Sequence, residues 1–175
     1  MLKILSVPRH MIALIIVVLA SAIGIAWFLE FVMKLEPCSL CLLQRWGIYF
    51  SFIGLVPTWF ILSYMKKKKI KAGLLVLFSL ISFTGLAFSL ASALRQTYIQ
   101  LAPAGLIPDC GADLQTLLSI VTPLQAISRV FQGSGECSEK ALVVLGLSLA
   151  MWVAVLMSII MILWLISLVQ IIRRK

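Results

Sequence analysis

Residues 46–94 read WGIYFSFIGLVPTWFILSYM, then KKKKIK, then AGLLVLFSLISFTGLAFSLASAL: an apolar run Trp46–Met65, the cluster Lys66-Lys67-Lys68-Lys69-Ile70-Lys71, and a second apolar run Ala72–Leu94. About 20 apolar residues in a helix span the hydrocarbon core of a bilayer. Neither run contains a charged residue, so each can satisfy its backbone in lipid only as a helix. Two membrane helices joined by a short basic turn decide the fold class.

Two further runs follow the same rule. Met11–Leu29 lies between Arg9-His10 and Glu30, and Ala141–Ile172 lies between Lys140 and Arg173-Arg174-Lys175. The last run exceeds what a span needs, so it tilts or projects, with its span at about 143–168. Pro57 is expected to kink the second helix without ending it, because neighbouring helices can satisfy the freed carbonyl. The first run carries Ala20-Ser21-Ala22, a small-residue pattern found at leader cleavage sites. It continues seven residues beyond Ala22, which suits a retained span. The expected architecture is all-α: one integral-membrane domain over 1–175, a four-helix transmembrane bundle with spans near 11–29, 46–65, 72–94 and 143–168.

Composition agrees. Of 175 residues, 62% are hydrophobic and 12% charged, against about 25% charged in soluble domains. Disorder, collagen and disulfide miniproteins are excluded. The net charge of +9 would suggest nucleic acid as a partner, but its distribution points elsewhere. Lys3, Arg9, the five lysines between 66 and 71, and Arg173, Arg174 and Lys175 fall on one side of the membrane with no acidic residue. The other side carries Lys34, Arg45, Arg95, Arg129 and Lys140 against Glu30, Glu36, Asp109, Asp113, Glu136 and Glu139. Basic residues mark the cytoplasmic side. Both termini are therefore expected in the cytoplasm, with loops 30–45 and 95–140 outside.

The longer outer loop has its own pattern. Asp113 is expected to cap a short helix from Leu114 toward Val121, and Thr122-Pro123 reads as an N-cap and first-position proline for another. Leu117, Ile120, Val121, Leu124, Ile127 and Phe131 recur at helical spacing, as in an amphipathic segment on a membrane surface. Gly133-Ser134-Gly135 supplies flexibility beyond it. In the third run, Ser79, Ser82, Gly85, Ser89 and Ser92 share a face, which suits close helix packing better than a polar path. Trp27, Trp46, Trp59, Tyr64 and Trp164, near run ends, read as interface anchors.

All four cysteines, Cys38, Cys41, Cys110 and Cys137, fall in the outer loops, one pair in each. The outside of a bacterial inner membrane is oxidising. Two inert disulfides, a zinc site and a redox relay all remain compatible with four thiols. Cys38-Ser39-Leu40-Cys41 has the C-x-x-C spacing of dithiol oxidoreductases. A disulfide closing so small a loop removes little unfolded-state entropy. Cys110 and Cys137 are too far apart for the usual closely spaced second zinc pair, and His10, the only histidine, lies on the cytoplasmic side. The redox reading is favoured.

Cys41 is placed in a first helical turn, where the positive end of the helix dipole favours a thiolate. Arg45, four residues on, shares its face and can stabilise a thiolate or donate to a bound acceptor. No C-x-x-C-H haem motif, dinucleotide loop or iron–sulfur spacing is present. By elimination, a lipid quinone is the candidate two-electron partner.

Glu36-Pro37-Cys38-Ser39-Leu40-Cys41-Leu42-Leu43-Gln44-Arg45 resembles the DsbB family of bacterial quinone-dependent disulfide-forming membrane proteins. So do Pro108-Asp109-Cys110-Gly111-Ala112-Asp113-Leu114, Gly133-Ser134-Gly135-Glu136-Cys137 and Leu145-Gly146-Leu147-Ser148. The likeness covers essentially the whole chain. It implies that Cys110 forms a mixed disulfide with a periplasmic thioredoxin-like oxidant of the DsbA kind. It further implies that Cys137 is its partner and exchanges with Cys38, and that Cys41, helped by Arg45, passes electrons to ubiquinone or menaquinone.

Two positions depart from that family. Leu149-Ala150-Met151-Trp152 stands where members often carry Met-Pro before x-Trp, and Arg95-Gln96 where many have histidine after the arginine. The resemblance thus assigns no quinone contact beyond Cys41 and Arg45. Other readings are a four-span scaffold braced by structural disulfides, and an outward-running thiol reductase resembling vitamin K epoxide reductases. In that family the C-x-x-C is expected in a late span, whereas here it opens the second.

Overall fold

A computed structural model describes residues 8–35, 37–65, 68–102, 119–132 and 143–173. In order these form α1 (Pro8–Phe31), α2 (Ser39–Tyr64), α3 (Lys68–Leu101), α4 (Pro123–Gln132), the two-residue strands β1 (Val143–Val144) and β2 (Leu147–Ser148), and α5 (Leu149–Arg173). Helices α1, α2, α5 and the Ala72–Leu101 part of α3 are each long and apolar enough to cross a membrane. Among the described residues these four long helices form a bundle, with the short α4 beside them. Glu36, residues 114–118 of the helix expected from Leu114 toward Val121, the segment Gly133-Ser134-Gly135, Cys110 and Cys137 lie outside the described residues, while Ser119 and Ile120 are helical.

The core of the bundle is a set of interdigitated aliphatic side chains. Ile12, Ile15, Leu19 and Ile23 of α1 meet Ile48 and Leu55 of α2, Leu86 of α3, and Met157, Ile160 and Trp164 of α5. Trp164 is therefore not the interface anchor its position suggests. It is buried and lies against Phe83, ring centroids 5.7 Å apart. The outward faces keep large apolar residues such as Val17, Phe50, Leu80 and Ile162 exposed, as a helix facing lipid does.

Helices α2 and α3 make the closest approach. A Cβ built on Gly54 would lie 2.5 Å from the Ser82 backbone nitrogen, and one on Gly85 would lie 2.6 Å from the Ser51 nitrogen. Ser79, Ser82, Ser89 and Ser92 are all buried, so the small-residue stripe of α3 is a packing face. Several hydroxyls in this interface bond back to their own helix: Ser51 and Thr58 donate to the carbonyls of Gly47 and Gly54, and Ser82 to that of Phe78, each at 2.8 Å. These three hydroxyls thereby keep their hydrogens paired within the helix. Helix α2 runs through Pro57 without interruption.

Helix ends depart from the apolar runs where polar residues find partners. Helix α3 continues past Leu94 to Leu101, which makes Arg95, Gln96 and Gln100 helical. Helix α5 starts only at Leu149, because Leu145 and Gly146 adopt positive φ (55° and 81°) and turn Val143–Ser148 into a small antiparallel hairpin. Ser148 then caps the helix, its Oγ accepting from the Met151 N–H at 3.4 Å and donating to the Gln100 side chain.

The amphipathic α4 begins at Pro123, directly after Thr122, whose carbonyl accepts from the Ala126 N–H at 2.9 Å. Its Ala126 and Val130 are buried against Leu40, Leu43 and Ile99. Arg95 Nε donates to the Phe131 carbonyl at 2.7 Å and clamps α4 onto α3. One end of the bundle thus gathers the end of α1, the start of α2, the end of α3 and the start of α5, under α4.

Gly54→Ala is expected to destabilise the detergent-solubilised protein by about 1–3 kcal/mol, since the new methyl meets backbone that cannot yield. Gly24→Ala, which meets open space, should not. Equal melting temperatures for the two variants would contradict this packing.

Candidate functional site

Pro37 brings the chain into Cys38, which is extended (φ −64°, ψ 162°) and stands as the N-cap of α2. Its carbonyl accepts from the Leu42 N–H at 3.1 Å, so the helix is wound from this residue on. Three residues is slightly less than one helical turn, which puts Cys41 beside the cap. The two Sγ atoms lie 2.8 Å apart, and both residues are half-buried. The C-x-x-C spacing thus delivers two sulfurs to one spot at the positive end of a helix, the setting that favours thiolate chemistry.

The side chain that touches both sulfurs comes from α3. Gln96 Nε2 lies 3.2 Å from Cys38 Sγ and 3.2 Å from Cys41 Sγ, donating toward each. Its Oε1 accepts from Gln44 Nε2 at 2.7 Å and stands 3.6 Å from Cys41 Sγ, in reach of an S–H. Both glutamines are buried. A buried carboxamide is costly unless its groups are paired, and here Gln44 donates to Gln96 while Gln96 donates to the sulfurs.

Arg45 points elsewhere. Its Nη1 donates to Glu30 at the end of α1 in an ion pair, and its Nη2 donates to the Ala26 carbonyl at 3.2 Å. Among the described residues its guanidinium bonds run to α1 and none to Cys41. Two of its five N–H groups are so engaged, which leaves donors for an acceptor oxygen. Trp27, Phe28, Phe31 and Trp46, each within three residues of Glu30 or Arg45 in sequence, are exposed. A half-buried guanidinium with spare donors has the chemistry that would suit the carbonyl oxygen of a lipid quinone.

The structure brings together Cys38 and Cys41, and places Arg45 one turn beyond Cys41 on α2. Cys110 and Cys137 lie outside the described residues. Sequence reasoning missed Gln96, Gln44 and Glu30 as site residues. Gln96 had been noticed only as a departure from the expected histidine, and Gln44 only as part of a motif. An unpaired-looking polar residue just inside an apolar helix is the signal that could have found them.

Comparisons with known proteins agree with the geometry. The family model described as "Disulfide bond formation protein DsbB" matches residues 8–167. A protein of Marinobacter nauticus named disulfide bond formation protein B is 32% identical over 155 residues, covering 89% of this chain and 88% of the relative. One of the same name from Chromobacterium violaceum is 35% identical over 152 residues, covering 85% and 86%. One from Acinetobacter baylyi is 32% identical over 161 residues, covering 91% and 89%. No solved structure matches the chain. With a family match running through all four long helices and a paired C-x-x-C at the mouth of the bundle, this chain belongs to the DsbB family of disulfide bond formation proteins.

Proposed function

We propose that this chain is a membrane thiol oxidase that reoxidises a periplasmic thioredoxin-like dithiol oxidant of the DsbA type and passes the electrons through two cysteine pairs to ubiquinone or menaquinone. The observation that carries this reading is the 2.8 Å approach of Cys38 and Cys41 sulfurs at the end of an apolar bundle, in a chain of this family. The lopsided charge supports an inner-membrane topology with cytoplasmic termini and both cysteine loops in the periplasm. No soluble electron carrier can enter the hydrocarbon, so a thiol pair at its edge suits a lipid-soluble acceptor.

The steps follow from thiol–disulfide exchange, in which a thiolate attacks one sulfur of a disulfide and the other sulfur leaves. Cys110 takes the partner's thiol in a mixed disulfide, and Cys137 is its mate. The released Cys137 thiolate then attacks Cys38, and Cys41 departs as a thiolate. A bound quinone supplies a two-electron acceptor. Arg45 would hold it by hydrogen bonding to a carbonyl oxygen, Glu30 fixes the guanidinium, and α4 packs on Leu40 and Leu43 beside the C-x-x-C.

Three variants test the assignment, with quinone reduction by purified protein and a reduced thioredoxin-like donor as the assay. Cys41→Ser should abolish quinone reduction; persistence of the activity sinks the relay. Cys110→Ala should abolish oxidation of the partner while leaving quinone bound. Arg45→His should weaken apparent quinone affinity roughly tenfold, the worth of one hydrogen bond of about 1.5 kcal/mol, and an unchanged KM would remove its assigned role.

A further inference from the structure

The Gln44–Gln96 pair has no part in the exchange steps as written, yet it is the nearest hydrogen-bonding group to both sulfurs among the described residues. Gln44 is on α2, three residues beyond Cys41; Gln96 is on α3, 55 positions away in sequence. The 2.7 Å bond from Gln44 Nε2 to Gln96 Oε1 decides which way the Gln96 carboxamide faces. With its oxygen engaged, its N–H groups are turned to Cys38 and Cys41. Neither glutamine is exposed enough for water to substitute. The arginines at this end bond to other groups: Arg45 to Glu30 and the Ala26 carbonyl, and Arg95 to the Phe131 carbonyl and the Tyr98 ring, 5.2 Å from its centroid.

We propose that Gln96 is a catalytic residue of the Cys38–Cys41 pair, a neutral carboxamide whose N–H groups stabilise the thiolate released at Cys41, and that Gln44 is the positioning residue that aims it. The inference rests on the relay reading for the identity of the attacking thiol. In that step an incoming cysteine thiolate attacks Cys38 Sγ of the oxidised pair. A new S–S bond forms to Cys38, the Cys38–Cys41 bond breaks, and its electron pair leaves on Cys41 Sγ. The attacking sulfur is oxidised and Cys41 is reduced; no proton moves, and one negative charge passes from the attacking sulfur to Cys41. A donor equidistant from both sulfurs follows that charge without moving. When Cys41 is instead a thiol, its S–H can donate to Gln96 Oε1 at 3.6 Å, so the same group serves either form. A carboxamide has no charge to gain or lose, so this support is independent of a titrating base, and His10, the only histidine, sits at the opposite end of α1.

Stabilising the reduced, thiolate form makes a dithiol pair more oxidising. The test is the redox equilibrium of Cys38–Cys41 in full-length protein carrying Cys110→Ser and Cys137→Ser, held anaerobically in excess glutathione buffers and trapped by alkylation. Gln96→Glu keeps the size and the bond from Gln44 but replaces the donor with an acceptor. It should favour the disulfide about tenfold relative to the parent, the loss of one hydrogen bond to a charged group. Gln44→Leu, which leaves Gln96 in place but unaimed, should shift the equilibrium in the same direction by about threefold. Gln96→His, which restores an N–H, should return most of the difference.

An unchanged equilibrium in Gln96→Glu overturns the proposal. If that variant does not fold, an unchanged equilibrium in Gln44→Leu does so. The relay is judged separately: quinone reduction surviving Cys41→Ser would refute it even where Gln96 shifts the equilibrium. Loss of that reduction, with no shift in the Gln96 variants, would refute only the role of Gln96.

Discussion

Backbone contact between α2 and α3 sets the geometry on which everything at the sulfur end depends. Gly47, Gly54 and Gly85 face serines and carbonyls at distances that no side chain could occupy. In lipid, apolar surface gains little by meeting other apolar surface, so close packing and hydrogen bonding hold helices together. That contact fixes the register of α3 along α2. The register in turn brings Gln96 level with Cys41, Ser89 level with the Gln44 carbonyl, and Ile99 level with Leu40 and Leu43.

Polar residues at this end act as fasteners between elements, and each joins a different pair. Arg45 ties α2 to α1 through Glu30; Gln44 ties α2 to α3 through Gln96; Arg95 ties α3 to α4; Gln100 and Ser148 tie α3 to the start of α5. In a low-dielectric setting an unpaired member of any of these would be costly, so the set resists sliding of one helix past another. The sulfur pair therefore sits on a rigid floor.

Much of this was legible from residue order. The four apolar runs gave the bundle, the stripe of Ser79, Ser82, Gly85, Ser89 and Ser92 gave its tightest face, Thr122-Pro123 gave the start of α4, and C-x-x-C gave the paired sulfurs. Misplaced features share one cause: an apolar run records what tolerates lipid, and does not record where a backbone turns or which polar group finds a partner. Hence α3 runs past Leu94, because Gln96 and Gln100 find partners on other elements, and α5 starts late, because Leu145 and Gly146 turn the chain. Trp164 sits in the core because hydrophobicity alone cannot tell a lipid-facing ring from a packed one.

The sequence by itself determined the membrane class, the number of long helices and the spacing of Cys38 and Cys41. Each of these is a local property of the chain: hydropathy, or three residues of helix. Only the tertiary structure decided what surrounds the sulfurs. It turned Arg45 toward Glu30 and set Gln96, brought from 55 residues away and aimed by Gln44, beside both cysteines. Such pairings depend on the relative rotation and register of two helices, which are settled by packing across their interface and leave no period or motif in either helix alone.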